Sequence, residues 1–133
     1  MDKVEILILR NLLYNEDYLR KVIPFIKADY YEDSNQRIVF EEIEKFVQEY
    51  NQPATKEVLC IEVEKRQDIN DTKFTEITKL ISYLDDVPTD HDWLVDTTEK
   101  WCRDRAIYLA LMESISLAAV SYTHLTLPTK RIV

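Results

Sequence analysis

The apolar side chains of this chain recur at intervals of three and four residues, which is the spacing of one face of an α-helix. The clearest case begins at Asp33 or Ser34, either of which can cap a helix, and ends at Asn51 and Pro53. The pattern predicts one long amphipathic helix there. Its apolar stripe consists of Val39, Ile43, Phe46, Val47 and Tyr50.

The N-terminal part of the chain is less regular. The letters VEILIL alternate like a strand, but Asp2 as a cap and the apolar residues that follow favour a first helix of about eleven residues. The segment EDYLRKVIPFIKADYY begins as a second helix and is disturbed by Pro24, which lacks an amide hydrogen and should push Ile23 out of the α region. We expect a kink there and an aromatic loop at Tyr30 and Tyr31.

Two shorter helices follow the long amphipathic one. Thr55 is placed to cap a helix over residues 56–66. Asp71 is placed to cap the next helix. The residues that share one apolar face of that helix are Phe74, Ile77, Leu80, Ile81 and Leu84.

The longest predicted helix is opened by Asp90 and runs from about His91 to about Ala118. It carries two apolar stripes rather than one. The first comprises Leu94, Thr98, Trp101, Arg105, Tyr108, Met112 and Ile115, and the second Val95, Cys102, Ala106, Leu109 and Ala110. About 28 helical residues span roughly 42 Å, so the helix either projects and packs on another helix or lies buried within its own domain.

Arg105 is the one charged residue within the first stripe. A charge in an apolar stripe needs a partner. We expect either a buried pair, with Asp85 or Asp86 as the candidate partner, or a role at an interface.

The chain has 133 residues, 46% of them hydrophobic, and contains no glycine. A Walker A loop and a dinucleotide-binding fingerprint both need glycines, because backbone amides must approach phosphate closely, so neither can be present. Tight β-hairpin turns also favour glycine. The predicted fold class is therefore all-α, with a compact multi-helix head followed by a long helix.

Charge and hydropathy argue against further classes of protein, namely nucleic-acid-binding, secreted and membrane proteins. Acidic residues outnumber basic ones by 25 to 17, a net charge of −8. Nucleic-acid affinity depends largely on cations, so tight DNA or RNA binding by this chain alone is not expected. No signal peptide opens the chain, and no run of about 18 apolar residues could span a membrane. We predict a cytoplasmic protein without a membrane partner.

His91 lies close in sequence to several carboxylates, those of Asp85, Asp86, Asp90 and Asp92. This grouping could hold a metal ion or perform acid–base chemistry. Carboxylates just before a helix are more simply explained as caps that the helix dipole favours.

Other candidate reactive groups also have simpler explanations. Cys60 and Cys102 lack CxxC spacing, which predicts two reduced thiols. Tyr30, Tyr31 and Tyr83 could stack on bases, but their acidic neighbours favour core packing or a protein contact. We predict no catalytic residue, no metal site and no cofactor in this chain.

Three stretches of the chain resemble the replicative DNA helicases of T-even-type phages, relatives of the bacterial DnaB helicases. The most specific is DHDWLVDTTEK followed by RA, which is similar to the segment that leads into the long helix of that family. ILILRNLLYNEDYLRKVIPFIKADYYED resembles its first two helices, and FVQEYNQPATKEVL the turn between its third and fourth. The likeness covers essentially residues 1–118.

The resemblance implies an N-terminal collar domain, in which a helical head is followed by the first arm of a helical hairpin, incomplete here. In that family six chains form a ring, and a C-terminal RecA-like domain uses ATP and magnesium to move along single-stranded DNA. The collar contacts primase and neighbouring subunits. Residues 1–118 would then be an assembly and recruitment domain of a DNA helicase in a bacterial host's cytoplasm, and this chain alone would not be an enzyme. The alternative is a complete small acidic helical adaptor or regulator of phage origin.

The resemblance also implies roles for residues of the long helix. Leu94 and Trp101 would pack against the head, with Arg105 as a further structural residue. The residues expected to contact the missing second arm or a neighbouring subunit are Tyr108, Leu109, Met112 and Ile115. Uncovered apolar stripes of that size tend to associate, so we expect the chain to self-associate.

The closing segment SYTHLTLPTKRIV differs from the rest, since it contains no acidic residue and carries Pro128. It could be a strand that adds to a partner's sheet, or a basic docking peptide. It also closely resembles translated sequencing-adapter sequence. This last interpretation predicts that residues 119–133 are a disordered, non-native tail.

Overall fold

The computed structural model describes the backbone of residues 3–125 and the side-chain surroundings of residues 4–116. Within that range the chain forms six α-helices, one short 3-10 helix and no β-strand, so the predicted all-α class is confirmed. The helices are α1 Lys3–Tyr14, α2 Glu16–Val22, the 3-10 helix Ala28–Tyr30, α3 Ser34–Tyr50, α4 Lys56–Glu64, α5 Asp71–Tyr83 and α6 His91–Leu125.

Most predicted caps accept the expected backbone hydrogen bonds. The Asp33 carboxylate accepts from the amide of Asn35 at 2.8 Å, and the Thr55 hydroxyl accepts from the amide of Val58 at 3.2 Å. α3 ends at Asn51, whose φ of 56° lies in the left-handed region that asparagine tolerates better than most residues. Local side-chain chemistry therefore fixes both ends of α3 and the start of α4.

The predicted cap of α5 is wrong by one residue. The N-cap is Asn70 rather than Asp71, and the Asn70 side-chain oxygen accepts from the amide of Lys73 at 2.7 Å. Asn70 has the extended backbone that a cap requires, with φ −97° and ψ 179°, whereas Asp71 already lies in the helix. Asparagine and aspartate cap about equally well, so the sequence alone does not choose between them.

The interruption predicted at Pro24 is confirmed. α2 ends at Val22, and the 3-10 helix occupies the place of the predicted aromatic loop, with Tyr30 at its end. The predicted departure of Ile23 from the α region is wrong, because its backbone angles are helical, φ −55° and ψ −37°. The missing amide hydrogen of Pro24, rather than a change at the preceding residue, is therefore what stops the helix.

The chain divides into two compact units, residues 1–102 and 103–133, which we call the head unit and the arm unit. In the head unit α3 packs against α1, α4 and α5. The largest fully buried side chains are Tyr18, Tyr31 and Phe40. Every α-helix of the head unit adds fully or almost fully buried aliphatic residues, among them Ile8, Leu12, Leu19, Ile43, Leu59, Ile77 and Leu94. Each such side chain contributes about 1.5–3 kcal/mol of hydrophobic stabilisation.

The long helix ends later than predicted, because α6 continues past Ala118 to Leu125. From His91 to Leu125 the sequence contains neither proline nor glycine, and Pro128 is the first residue after them that breaks helices. Residues 119–125 of the predicted disordered tail are thus helical, and residues 126–133 lie outside the described residues. The domain boundary at residue 118 and the non-native origin of the tail stay predictions.

Candidate interaction surface

The first turns of α6 are anchored in the head unit by a cap, a buried leucine and a buried hydrogen bond. The Asp90 carboxylate accepts from the amide of Trp93 at 2.9 Å, so the capping interpretation of this carboxylate is confirmed. Leu94 is completely buried, and the hydroxyl of Thr98 is hydrogen-bonded to that of Tyr18. Burial raises the pKa of Tyr18 well above its usual value, so this phenol stays neutral.

Trp101, one turn further along α6, joins an aromatic cluster in the head unit. Its ring meets Tyr30 edge to face, with ring centroids 6.0 Å apart, and lies 5.0 Å from the ring of Tyr31. Tyr31 packs in turn on Phe40 of α3 at 5.5 Å. Two of the tyrosines that could have served as base-stacking platforms thus pack against Trp101 within the protein.

Both cysteines are free thiols, as the sequence predicts. Burial raises the pKa of Cys102 to about 11, and burial also raises the pKa of Cys60. Nucleophilic attack and metal binding require the thiolate. Neither cysteine is therefore activated for chemistry.

In the arm unit α6 exposes large apolar side chains. The exposed fractions are Ile107 53%, Tyr108 45%, Leu111 58%, Met112 47% and Ile115 63%. We call these five residues the apolar arm surface. Three of them were among the predicted interface residues, whereas the fourth predicted one, Leu109, is only half-buried rather than exposed.

Sequence reasoning missed Ile107 and Leu111. It followed two stripes along the helix, and neither stripe includes these two residues. At about 100° per residue, the apolar arm surface covers an arc of roughly 140° around the helix. The signal that would have found them is the spacing of four that links Ile107, Leu111 and Ile115.

Arg105 is half-buried, and its guanidinium lies over the ring of Tyr108, 4.8 Å from the centroid. Such a cation–π contact covers part of the aromatic face while leaving the charge near water. Asp85, one of the partners considered for Arg105, forms an ion pair with Lys56 at 2.8 Å. The role of Arg105 at an interface stays a prediction.

Metal sites and membrane-spanning helices are both absent from the described residues, 3–125. No group of three or more His, Cys, Asp or Glu side chains there could hold a metal ion. No helix in the same range is both long and apolar enough to cross a lipid bilayer. The apolar arm surface is thus the feature of this part of the chain that most needs a functional explanation.

The fold and this surface define an all-α protein whose longest helix presents a wide apolar face. The chain is similar to the DnaB-like replicative helicase of Enterobacteria phage T4, with 32% identity over 111 residues. The match covers 84% of this chain but only 23% of the helicase, so the chain spans about a quarter of that relative's length. The resemblance inferred from the sequence is confirmed. No protein-family model matches the chain.

Proposed function

We propose that the chain is the N-terminal assembly and recruitment domain of a hexameric, ATP-dependent replicative DNA helicase. The similarity to a DnaB-like replicative helicase supports the relation to helicases. The apolar arm surface supports the assembly role. In this proposal ATP, magnesium and single-stranded DNA bind to a C-terminal domain of a longer protein, and primase binds to this N-terminal part.

The apolar arm surface is the observation that carries the assembly role. A fully buried side chain of this size gains about 1.5–3 kcal/mol, so covering the exposed half of five of them is worth roughly 5 kcal/mol. Lost rotational and translational freedom offsets much of that gain. The contact is then weak for one pair of chains and becomes strong when a closed ring repeats it.

Sedimentation equilibrium of the 133-residue chain at micromolar concentrations tests the assembly role. We expect reversible self-association that Ile115→Glu weakens about tenfold or more, because the variant places a charge at the centre of the apolar arc. Ala106→Glu is the matched control, since Ala106 is exposed on the opposite side of the same helix. A wild-type chain that stays monomeric, or equal weakening by both variants, would overturn the assembly role.

The helicase part of the proposal is tested by the gene. A reading frame that continues beyond the codon of Ala118 into a second helical arm and a GxxxxGK[ST] motif would support it. A stop codon close behind that position in the natural gene would refute it and favour a small acidic adaptor.

A further inference from the structure

A second apolar surface lies on the head unit, in the groove between α3 and α4. The groove has a volume of about 530 Å³. Its apolar walls are formed by Phe46 and Tyr50 of α3 and by Val58 and Ile61 of α4, and we call these four residues the head groove. Tyr50 is 58% exposed and Ile61 is 53% exposed, so both walls present apolar surface to solvent.

Contacts within the head unit hold the walls of the groove in place. The rings of Phe46 and Tyr50 pack on each other, with centroids 4.8 Å apart. On the rim, Lys45 of α3 lies 3.5 Å from the carboxylate of Glu62 in α4, and Lys65 lies 3.0 Å from the same carboxylate. Because these rim charges are paired with one another, the opening between them suits an apolar occupant better than a strongly charged one.

The apolar arm surface of a second copy matches the head groove in length and polarity. Ile107 and Ile115 are eight residues apart on α6, which is roughly 12 Å along the helix axis. The α3 wall, residues 42–50, has the same length. Residues 106–112 contain no charged side chain. A helix that docks in a groove uses side chains spaced by three or four residues, and the apolar arm surface has that spacing.

The charges at one end of each surface are opposite in sign. The exposed Glu49 lies at the end of the groove where α3 leads into α4. Arg103 is exposed on α6 and precedes Ile107 by about one helical turn on the same face. The opposite signs favour an arm whose first turns lie at the Glu49 end. The stems of Lys45 and Lys65, at the other end, then lie along apolar side chains of the arm.

The width of the apolar arm surface also fits a groove better than a single helix. Its arc of roughly 140° is wider than the seam that one partner helix covers. A groove contacts an inserted helix from two sides, with α3 on one side and α4 on the other. The head groove therefore covers more of this arc than one helix does.

We propose that the head groove binds the apolar arm surface of a second copy of this chain. This inference rests on the assembly role proposed above and names the surface on which the arm docks. The contact joins two different surfaces, so each chain offers one arm and one groove. Such contacts close into a ring when the rotation between neighbours allows it, whereas the pairing of two identical surfaces gives a dimer.

Sedimentation equilibrium of two variants, alone and mixed, tests the proposal. Ile61→Glu places a charge in the groove, and Ile115→Glu places one on the arm. We expect each variant alone to self-associate about tenfold more weakly than the wild type, or weaker still. An equimolar mixture should form heterodimers with an affinity within about threefold of the wild type, because the intact groove of one variant binds the intact arm of the other.

Phe25→Glu is the matched control, since Phe25 is 70% exposed on the head unit and does not line the groove. It should associate like the wild type. Tyr50→Ala, a groove variant that adds no charge, should weaken association about threefold or more. Circular dichroism checks that each variant keeps its helical content.

The outcomes separate this inference from the assembly role. Wild-type association of both groove variants, equal weakening by Phe25→Glu, or a mixture that stays monomeric would overturn the docking of the arm in the head groove. The assembly role stands in those cases if Ile115→Glu alone weakens association. A wild-type chain that stays monomeric overturns both.

Discussion

Replacing Arg66 with methionine removes a cation that joins three carboxylates in the head unit. Arg66 follows α4, and its guanidinium lies 2.7 Å from Glu42, 3.2 Å from Glu41 and 3.0 Å from Asp68. The hydrogen bonds that Arg66 donates to Asp68 and Glu42 hold the pKa of Arg66 above its usual range, and the bond to Asp68 is the largest cause. The network ties the connection between α4 and α5 to α3.

The cost of the replacement comes mainly from Glu42. Its side chain is only 5% exposed, so loss of the guanidinium leaves a nearly buried carboxylate without its closest cation. Removing one partner of a fully buried pair costs about 3–5 kcal/mol. The Arg66 side chain is 20% exposed, so the pair is not fully buried, and Lys45 remains 3.9 Å from Glu42 after the replacement. We therefore expect the free energy of unfolding to fall by less than this, by about 2 kcal/mol.

Urea unfolding followed by circular dichroism measures this loss directly. Lys65→Met is the matched control. Lys65 is adjacent in sequence, but its side chain is 67% exposed and its partner Glu62 keeps a second cation, Lys45 at 3.5 Å, so little change is expected. Adding Glu42→Gln to Arg66→Met should recover part of the stability, because a neutral amide does not need the cation. Wild-type stability of Arg66→Met, or no recovery in the double variant, would refute this reasoning.

Two further predictions concern the anchoring of α6 and the buried thiol. Trp101→Ala should lower the free energy of unfolding by about 2 kcal/mol, which is less than for a fully buried tryptophan because the residue is half-buried. The control is Trp93→Ala, at a position that is 50% exposed, and it should change the free energy of unfolding little. Equal losses in the two variants would contradict the anchoring of α6 by Trp101. A disulfide reagent at pH 8 should label Cys60 well before Cys102, with the Cys102 rate rising as the pH approaches its pKa of about 11. Mass spectrometry of the labelled chain follows both sites, and equal labelling in the folded state would show that Cys102 is not protected.

Helix positions and most helix ends could be predicted from the sequence because they depend on neighbouring residues. The stripe of α3, the cap at Asp33, the cap at Thr55 and the stop at Asn51 all involve groups within four positions of one another. The prediction of Asp71 as the cap of α5 was wrong because Asn70 and Asp71 are adjacent and both can cap a helix, so local chemistry does not distinguish them. One-residue ambiguities of this kind are settled by packing.

Contacts between distant parts of the chain could not be predicted in this way. The aromatic cluster brings Tyr31 onto Trp101, and the Arg66 network brings the α4–α5 connection onto α3. Sequence patterns placed Tyr31 in a loop and favoured core packing or a protein contact for it, but did not identify Trp101 as the residue on which it packs.

The apolar arm surface could be predicted only in part from the sequence, unlike the helix ends, which were mostly predicted, and the long-range contacts, which were not. Its width determines how many partner helices can cover it. A seam with spacings of four and three suits one partner helix, and the first stripe, to which Tyr108, Met112 and Ile115 belong, has those spacings. With Ile107 and Leu111 added, the arc of roughly 140° is wider than a two-helix seam. Under the proposed function, a second arm and a neighbouring subunit therefore need not be alternatives, since each can cover one side of the same helix. Ile107→Glu and Met112→Glu, at opposite edges of the arc, would then weaken different contacts.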